Sequence, residues 1–257
     1  MFHLLEIEGR KLLPSREFWL SISAYACLLP AAIVSLKLFS FEVPNSQAGV
    51  NLFVFPDVWR NVAYVASWVN YLLYVVLLQV VTNEYQFRTI RQNVIDGLTR
   101  RQYVTGKVWL LIVFSVAAMV LVAALALLGG FFGPTRAPQA VVFDGAEAVP
   151  LFGLQLFGYL TLALALGTLA RKPGAAILAF IGYTLMVEPL LRGLVLPATI
   201  GRYLPSHLFA TLVPNPFFGY VGLGVSTSIG MTTIGLSAAY AGAFVLVTGW
   251  LVATQDL

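Results

Sequence analysis

Apolar residues run along this chain in six long blocks separated by short polar stretches. The blocks cover about residues 18–39, 61–82, 108–131, 149–170, 174–196 and 229–253. Each is near the roughly 20 residues that a helix needs to cross a bilayer core. None alternates strictly between apolar and polar positions, as a barrel strand would. Backbone groups in lipid must be satisfied internally, so the pattern predicts six transmembrane helices. Pro30 falls inside the first block and predicts a kink there.

Composition agrees with this reading. Of the 257 residues, 59% are hydrophobic and 10% charged, and mean hydropathy is +0.86. A soluble domain carries about 25% charged residues. The chain is therefore expected to be a single all-α membrane domain over 1–257. The net charge of +4 does not mark a nucleic-acid binder, because the basic residues are spread among the loops. With both termini placed inside, ten Lys and Arg fall on inner segments and five on outer ones, so both termini are expected to be cytoplasmic. A bacterial cytoplasmic membrane is the expected location. The start does not read as a cleavable signal, since Glu6, Glu8, Arg10, Lys11, Arg16 and Glu17 precede the first block. Phe2, Leu5, Leu12 and Leu13 share one side of a helical wheel, which predicts a short N-terminal helix in the inner interface. A plain extension of the first span is the alternative. Cys27, the one cysteine, reads as a small buried hydrophobe and excludes an intrachain disulfide.

The long polar stretch is 83–107, between the second and third blocks. Ile90, Val94 and Leu98 are four apart and share a helical face, whereas Arg91, Asp96 and Arg100 lie off it. This predicts a short amphipathic helix bounded near Gly97 or Gly106. A positive-inside loop without a partner fits the same pattern.

The stretch resembles the first cytoplasmic loop of ABC-2 type transporter permeases, the membrane subunits of ATP-binding cassette exporters. The residues that carry the likeness are Glu84, Thr89-Ile90-Arg91, Thr99-Arg100 and Lys107. It departs from that pattern at Arg88 and at Asp96-Gly97-Leu98. The resemblance implies a coupling helix between spans two and three that seats in a separate P-loop ATPase, two copies per complex. Its contact residues would be Glu84, Thr89, Arg91, Val94, Leu98, Arg100 and Lys107. It also implies a second permease, identical or similar, and ATP and Mg held by the partner with no cofactor in this chain. The chain itself lacks a phosphate loop, since Gly106-Lys107 is followed by Val108. No metal cluster or nucleophile–base pair suggests itself, and His3 and His207 are expected on opposite sides of the membrane. The chain is expected to be a transport subunit rather than an enzyme.

Polar residues inside the blocks mark candidate cavity or gate positions. Ser67, Asn70, Tyr71 and Tyr74 lie three or four apart on the second block, as a cavity wall or a helix seam. Gly235, Ala239 and Ala243 form a small-residue row that predicts close helix packing. Glu188 is costly in a bilayer. Arg192 lies four residues later, so an ion pair, gate support, substrate contact and proton coupling all remain open. The proline-broken stretch 197–228 predicts short re-entrant or interfacial helices capping something, with a greasy surface loop as the alternative. Two rival functions stand beside the permease: an ion-coupled secondary transporter using Glu188, and a non-transporting membrane scaffold for another machine.

Overall fold

The computed structural model describes residues 2–36, 53–87, 89, 98–132, 142–220 and 229–254. Among these there is no strand, and the regular elements are all helices. Helix α1 (Phe2–Leu12) precedes α2 (Arg16–Leu36). Helices α3 (Val58–Val69) and α4 (Tyr71–Gln86) run on as one 29-residue apolar span with a local irregularity at Asn70. Then come α5 (Arg100–Phe131), α6 (Ala148–Ala170) and α7 (Pro173–Val195). Three short helices follow, α8 (Ala198–Gly201), α9 (Pro205–Thr211) and α10 (Phe217–Tyr220), and α11 (Met231–Thr254) ends the fold. Six helices, counting α3–α4 once, are long and apolar enough to cross a membrane.

Several expectations shift. The third span starts at Arg100, eight residues before the expected 108. Thr99 caps it: its hydroxyl accepts from the Gln102 N–H while the Gln102 side chain accepts from the Thr99 N–H, a reciprocal pair that satisfies two orphan donors. Gly106 therefore lies within a helix and ends none. Leu13, Pro14 and Ser15 form a turn between α1 and α2, so α1 is not an extension of the first span. Cys27 is exposed on α2 rather than buried.

The centre of the bundle is α6. Two thirds of its apolar window is buried (67%), against 17% for α2 and 22% each for α7 and α11. It touches α3, α4, α5, α7, α9 and α11. Small residues let neighbours approach closely. A Cβ on Gly167 would sit 3.3 Å from Val81 of α4, and one on Gly158 would sit 2.4 Å from the Phe209 ring of α9. The chain leaves α6 through Arg171, whose φ of 55° reverses direction before Pro173 opens α7 at a position where a missing N–H costs nothing.

The face of α11 that packs inward carries Ser237, Ala241, Thr248 and Val252. Gly235, Ala239 and Ala243 are exposed, so the expected small-residue row is not a packing seam among the described residues.

Helix α7 is not a uniform α-helix. Tyr183–Val187 and Leu191–Val195 are π-turns on either side of Glu188–Leu190. Pro189 cannot donate to the ladder, and wider turns absorb the break.

Gly158→Ala is expected to lower the thermal midpoint by driving Phe209 and α9 off α6, an overpacking cost of about 1–3 kcal/mol. Gly182→Ala, where nothing lies within 4 Å, is expected to leave it equal or raised. Thermal unfolding of the purified protein checks both signs.

Candidate functional site

Two polar sites sit within this apolar frame. The first is at the end of the bundle where α1 meets the close of α4 and the opening of α5. Lys107, in the second turn of α5, has no solvent exposure. A buried ammonium needs partners for its charge and its N–H groups. Its Nζ lies 2.6 Å from Glu8 Oε2 and 2.9 Å from Glu84 Oε2. Lys11 Nζ lies 3.1 Å from Glu84 Oε1 and 3.7 Å from Glu8 Oε1. The Tyr103 hydroxyl donates to Glu84 Oε2 at 2.8 Å, and its ring lies 5.4 Å from Lys107 Nζ. Two carboxylates and two ammonium groups balance to zero, and every carboxylate oxygen is engaged.

This cluster joins segments far apart in sequence. Helical phasing explains why they meet. Glu8 and Lys11 are one turn apart on α1, and Tyr103 and Lys107 are one turn apart on α5. Glu84 occupies the last turn of α4, and the Thr89 hydroxyl donates to its carbonyl at 3.2 Å. Arg100 binds the last carbonyls of α11, donating to Val252 at 3.2 Å and also to Ala253, where a cation suits the negative helix end. Of the loop residues expected to contact a partner, Glu84 and Lys107 are buried in this cluster, and Leu98 is half-buried. Arg91 and Val94, with most of the expected amphipathic helix, lie outside the described residues. Glu8, Lys11 and Tyr103 were missed by pattern reading. A lysine inside an apolar helix is itself a signal that counter-ions must come from another segment.

The second site is a cavity of about 310 Å³ between α3, α4, α6, α7 and α9. Ser67, Tyr71, Tyr74, Glu188 and Arg192 all line it. Asn70 does not. It is buried, and its Oδ1 accepts from the Tyr25 hydroxyl at 2.9 Å, tying α2 to the α3–α4 span. Gln155, Tyr159, Thr184, Ser206 and His207 also line the cavity and were not anticipated. Gln155 is an amide inside an apolar span, which is the signal that could have found it.

Glu188 is 2% exposed. Its Oε2 accepts from the Ser206 N–H at 3.1 Å and its Oε1 from the His207 N–H at 2.6 Å. Glu188 thus pins the first turn of α9 to α7. Arg192 meets His207 Nδ1 instead of Glu188. The π-turn that begins at Leu191 moves it off the i,i+4 register of an uninterrupted α-helix, so the ion pair left open from spacing is not the one formed. Burial, then the adjacent Arg192 charge, hold the His207 imidazole below its ordinary value, with Glu188 opposing. Among the described residues of the proline-broken stretch, α8, α9 and α10 are short helices, and α9 lines the cavity.

Among the described residues, no three His, Cys, Asp or Glu side chains converge as a metal site. The six apolar helices mark an integral membrane protein. No protein-family model matches the chain, and neither does the sequence of any curated protein.

Lys107→Met is expected to cost about 3–5 kcal/mol, because it leaves two buried carboxylates sharing Lys11 alone. Adding Glu8→Gln and Glu84→Gln to it is expected to recover part of that loss. Thermal unfolding of the single and triple variants checks the ordering.

The contact of neutral His207 with Arg192 has its own pH signature. A folded-state value below the unfolded 6.5 gives stability that is present above 6.5 and is lost as pH falls through the depressed value. The thermal midpoint should therefore drop between about pH 7.5 and 5.5, and less so in His207→Gln.

Proposed function

We propose that this chain is the membrane-spanning permease subunit of an ATP-binding cassette exporter, moving its substrate with ATP hydrolysed by a separate P-loop ATPase. The observation that carries the reading is the buried cluster of Glu8, Lys11, Glu84, Tyr103 and Lys107. It lies on both sides of the 88–97 segment, the stretch whose residues resemble the coupling segment of ABC-2 permeases. A loop held on a rigid base can pass a push into the helices attached to it, and a loop hung on frayed ends cannot.

The same helix serves both sites. Glu84 at one end of α4 belongs to the cluster, and Tyr71 and Tyr74 on the same helix line the cavity. Ten residues of helix separate Glu84 from Tyr74, about 15 Å at 1.5 Å per residue. Movement at the base would therefore reach the cavity wall through one stiff element. Arg100 extends the base to α11. In this reading the loop faces the cytoplasm beside both termini, in a bacterial cytoplasmic membrane. Two permeases and two ATPases assemble, and ATP and Mg are held by the ATPases. Thr89, Arg91, Val94 and Leu98 serve the ATPase contact, while Glu84, Arg100 and Lys107 hold its base. The exposed Gly235, Ala239 and Ala243 give the second permease a surface for close approach.

Arg91→Glu, outside the cluster, is expected to reduce co-purification of a P-loop ATPase while leaving the permease folded. Undiminished co-purification, or no nucleotide-binding companion with the unaltered chain, would contradict the proposal. Transport in ATP-free vesicles under a proton gradient would favour an ion-coupled carrier.

A further inference from the structure

The cavity lining selects a chemistry. Its lining holds the Glu188 carboxylate, 2% exposed, together with Tyr71, Tyr74 and Tyr159. Tyr64 and Trp68 continue the aromatic wall. Aromatic faces are electron-rich, so they and a buried carboxylate favour a positive charge and oppose a negative one. Two polar atoms there are unmet. Among the described residues, no donor reaches Gln155 Oε1 and no partner reaches Ser206 Oγ, on side chains 4% and 5% exposed. Both residues line the cavity. A buried acceptor without a donor is costly, and a ligand N–H would end that cost.

Three other polar groups on the lining are engaged within the chain. The Tyr159 hydroxyl donates to the Ser206 carbonyl at 2.9 Å, Ser67 to the Tyr64 carbonyl at 2.6 Å, and Thr184 to the Phe180 carbonyl at 2.8 Å. Arg192 is the cationic side chain on the lining, but it is exposed and turned onto His207. The imidazole is held neutral at ordinary pH by burial and by Arg192, so it adds no second positive charge. The wall also opens through apolar surface, with Trp68 58% and Leu185 46% exposed. A volume of about 310 Å³ lies at the small end of ligand cavities.

We propose that this cavity binds a protonated amine carried on an apolar body. The ammonium sits among Glu188 and the faces of Tyr71, Tyr74 and Tyr159 and donates to Gln155 Oε1 and Ser206 Oγ. The apolar body extends past Trp68 and Leu185. The inference deepens the permease reading, since it takes the cavity as part of the transport path.

The test is equilibrium binding to the full chain in nanodiscs of zwitterionic lipid, with empty nanodiscs subtracted and no ATPase or nucleotide present. The probes are 4-butylbenzylamine, its alcohol, its carboxylate and its N,N,N-trimethyl derivative. The amine is expected to bind at least about tenfold more tightly than the alcohol and the carboxylate, and more tightly than the trimethyl cation, which has no N–H to give. Gln155→Leu and Glu188→Gln are each expected to erase most of that preference. Because Glu188 also pins α9, Gln155→Leu decides the matter if Glu188→Gln fails to fold. Equal or tighter binding of the alcohol, the carboxylate or the trimethyl cation would overturn the inference. So would an amine preference untouched by Gln155→Leu. Selective amine binding by a chain that has no ATPase companion would overturn the exporter reading alone. An ATPase companion without selective amine binding would overturn this inference alone.

Discussion

The structure depends on how the Lys107 ammonium is accommodated. It has no contact with solvent, so the chain must bring negative charge to it. Glu84 comes from the end of α4 and Glu8 from α1. Lys11 then offsets the second carboxylate, and Tyr103 completes the hydrogen bonding. Meeting that one demand fixes where α1 lies, how α4 ends and where α5 begins. An apolar substitute would pack in the same space without specifying which three segments meet. Here the charged partners determine that choice.

The opposite half of the bundle is arranged by a second carboxylate. Among the described residues Glu188 has no cation as its partner, and it accepts two backbone N–H groups at the start of α9. That brings a short proline-started helix into the lining of an aromatic cavity. The π-turns around Pro189 place Glu188 toward α9 and Arg192 toward His207. The base and the cavity share α4, and α6 packs against α3, α4, α5, α7, α9 and α11 to hold them in one bundle.

The six spans were legible because hydrophobic length reports the bilayer directly, and their bounds differ by a few residues at most ends. The early start of α5 was also written in the chain, as Thr99 followed three residues later by Gln102, a capping signature hidden inside a stretch that looks like a polar loop. The spacing of Ser67, Asn70, Tyr71 and Tyr74 left a cavity wall and a helix seam both open; Ser67, Tyr71 and Tyr74 line the cavity, and Asn70 ties α2 to the α3–α4 span. The partners across the bundle were not legible. Nothing local in α1 says that Glu8 reaches Lys107, 99 residues away, because that pairing is set by how helices pack. Nor does an i,i+4 spacing survive a π-turn, so Glu188 and Arg192 read as a pair and are not one. The small-residue row on α11 showed that a surface allows close approach without showing which chain approaches.

We propose that the 88–97 segment is a lever on a clamped base, moved by a nucleotide-driven partner. Site-specific photo-crosslinking tests it most directly, with a short-armed photoreactive residue placed at Asn93 of the full chain in its native membrane. The account predicts an adduct to a P-loop ATPase whose yield changes when ATP hydrolysis is blocked. Adducts to lipid alone, or to proteins without a nucleotide-binding site, would contradict it.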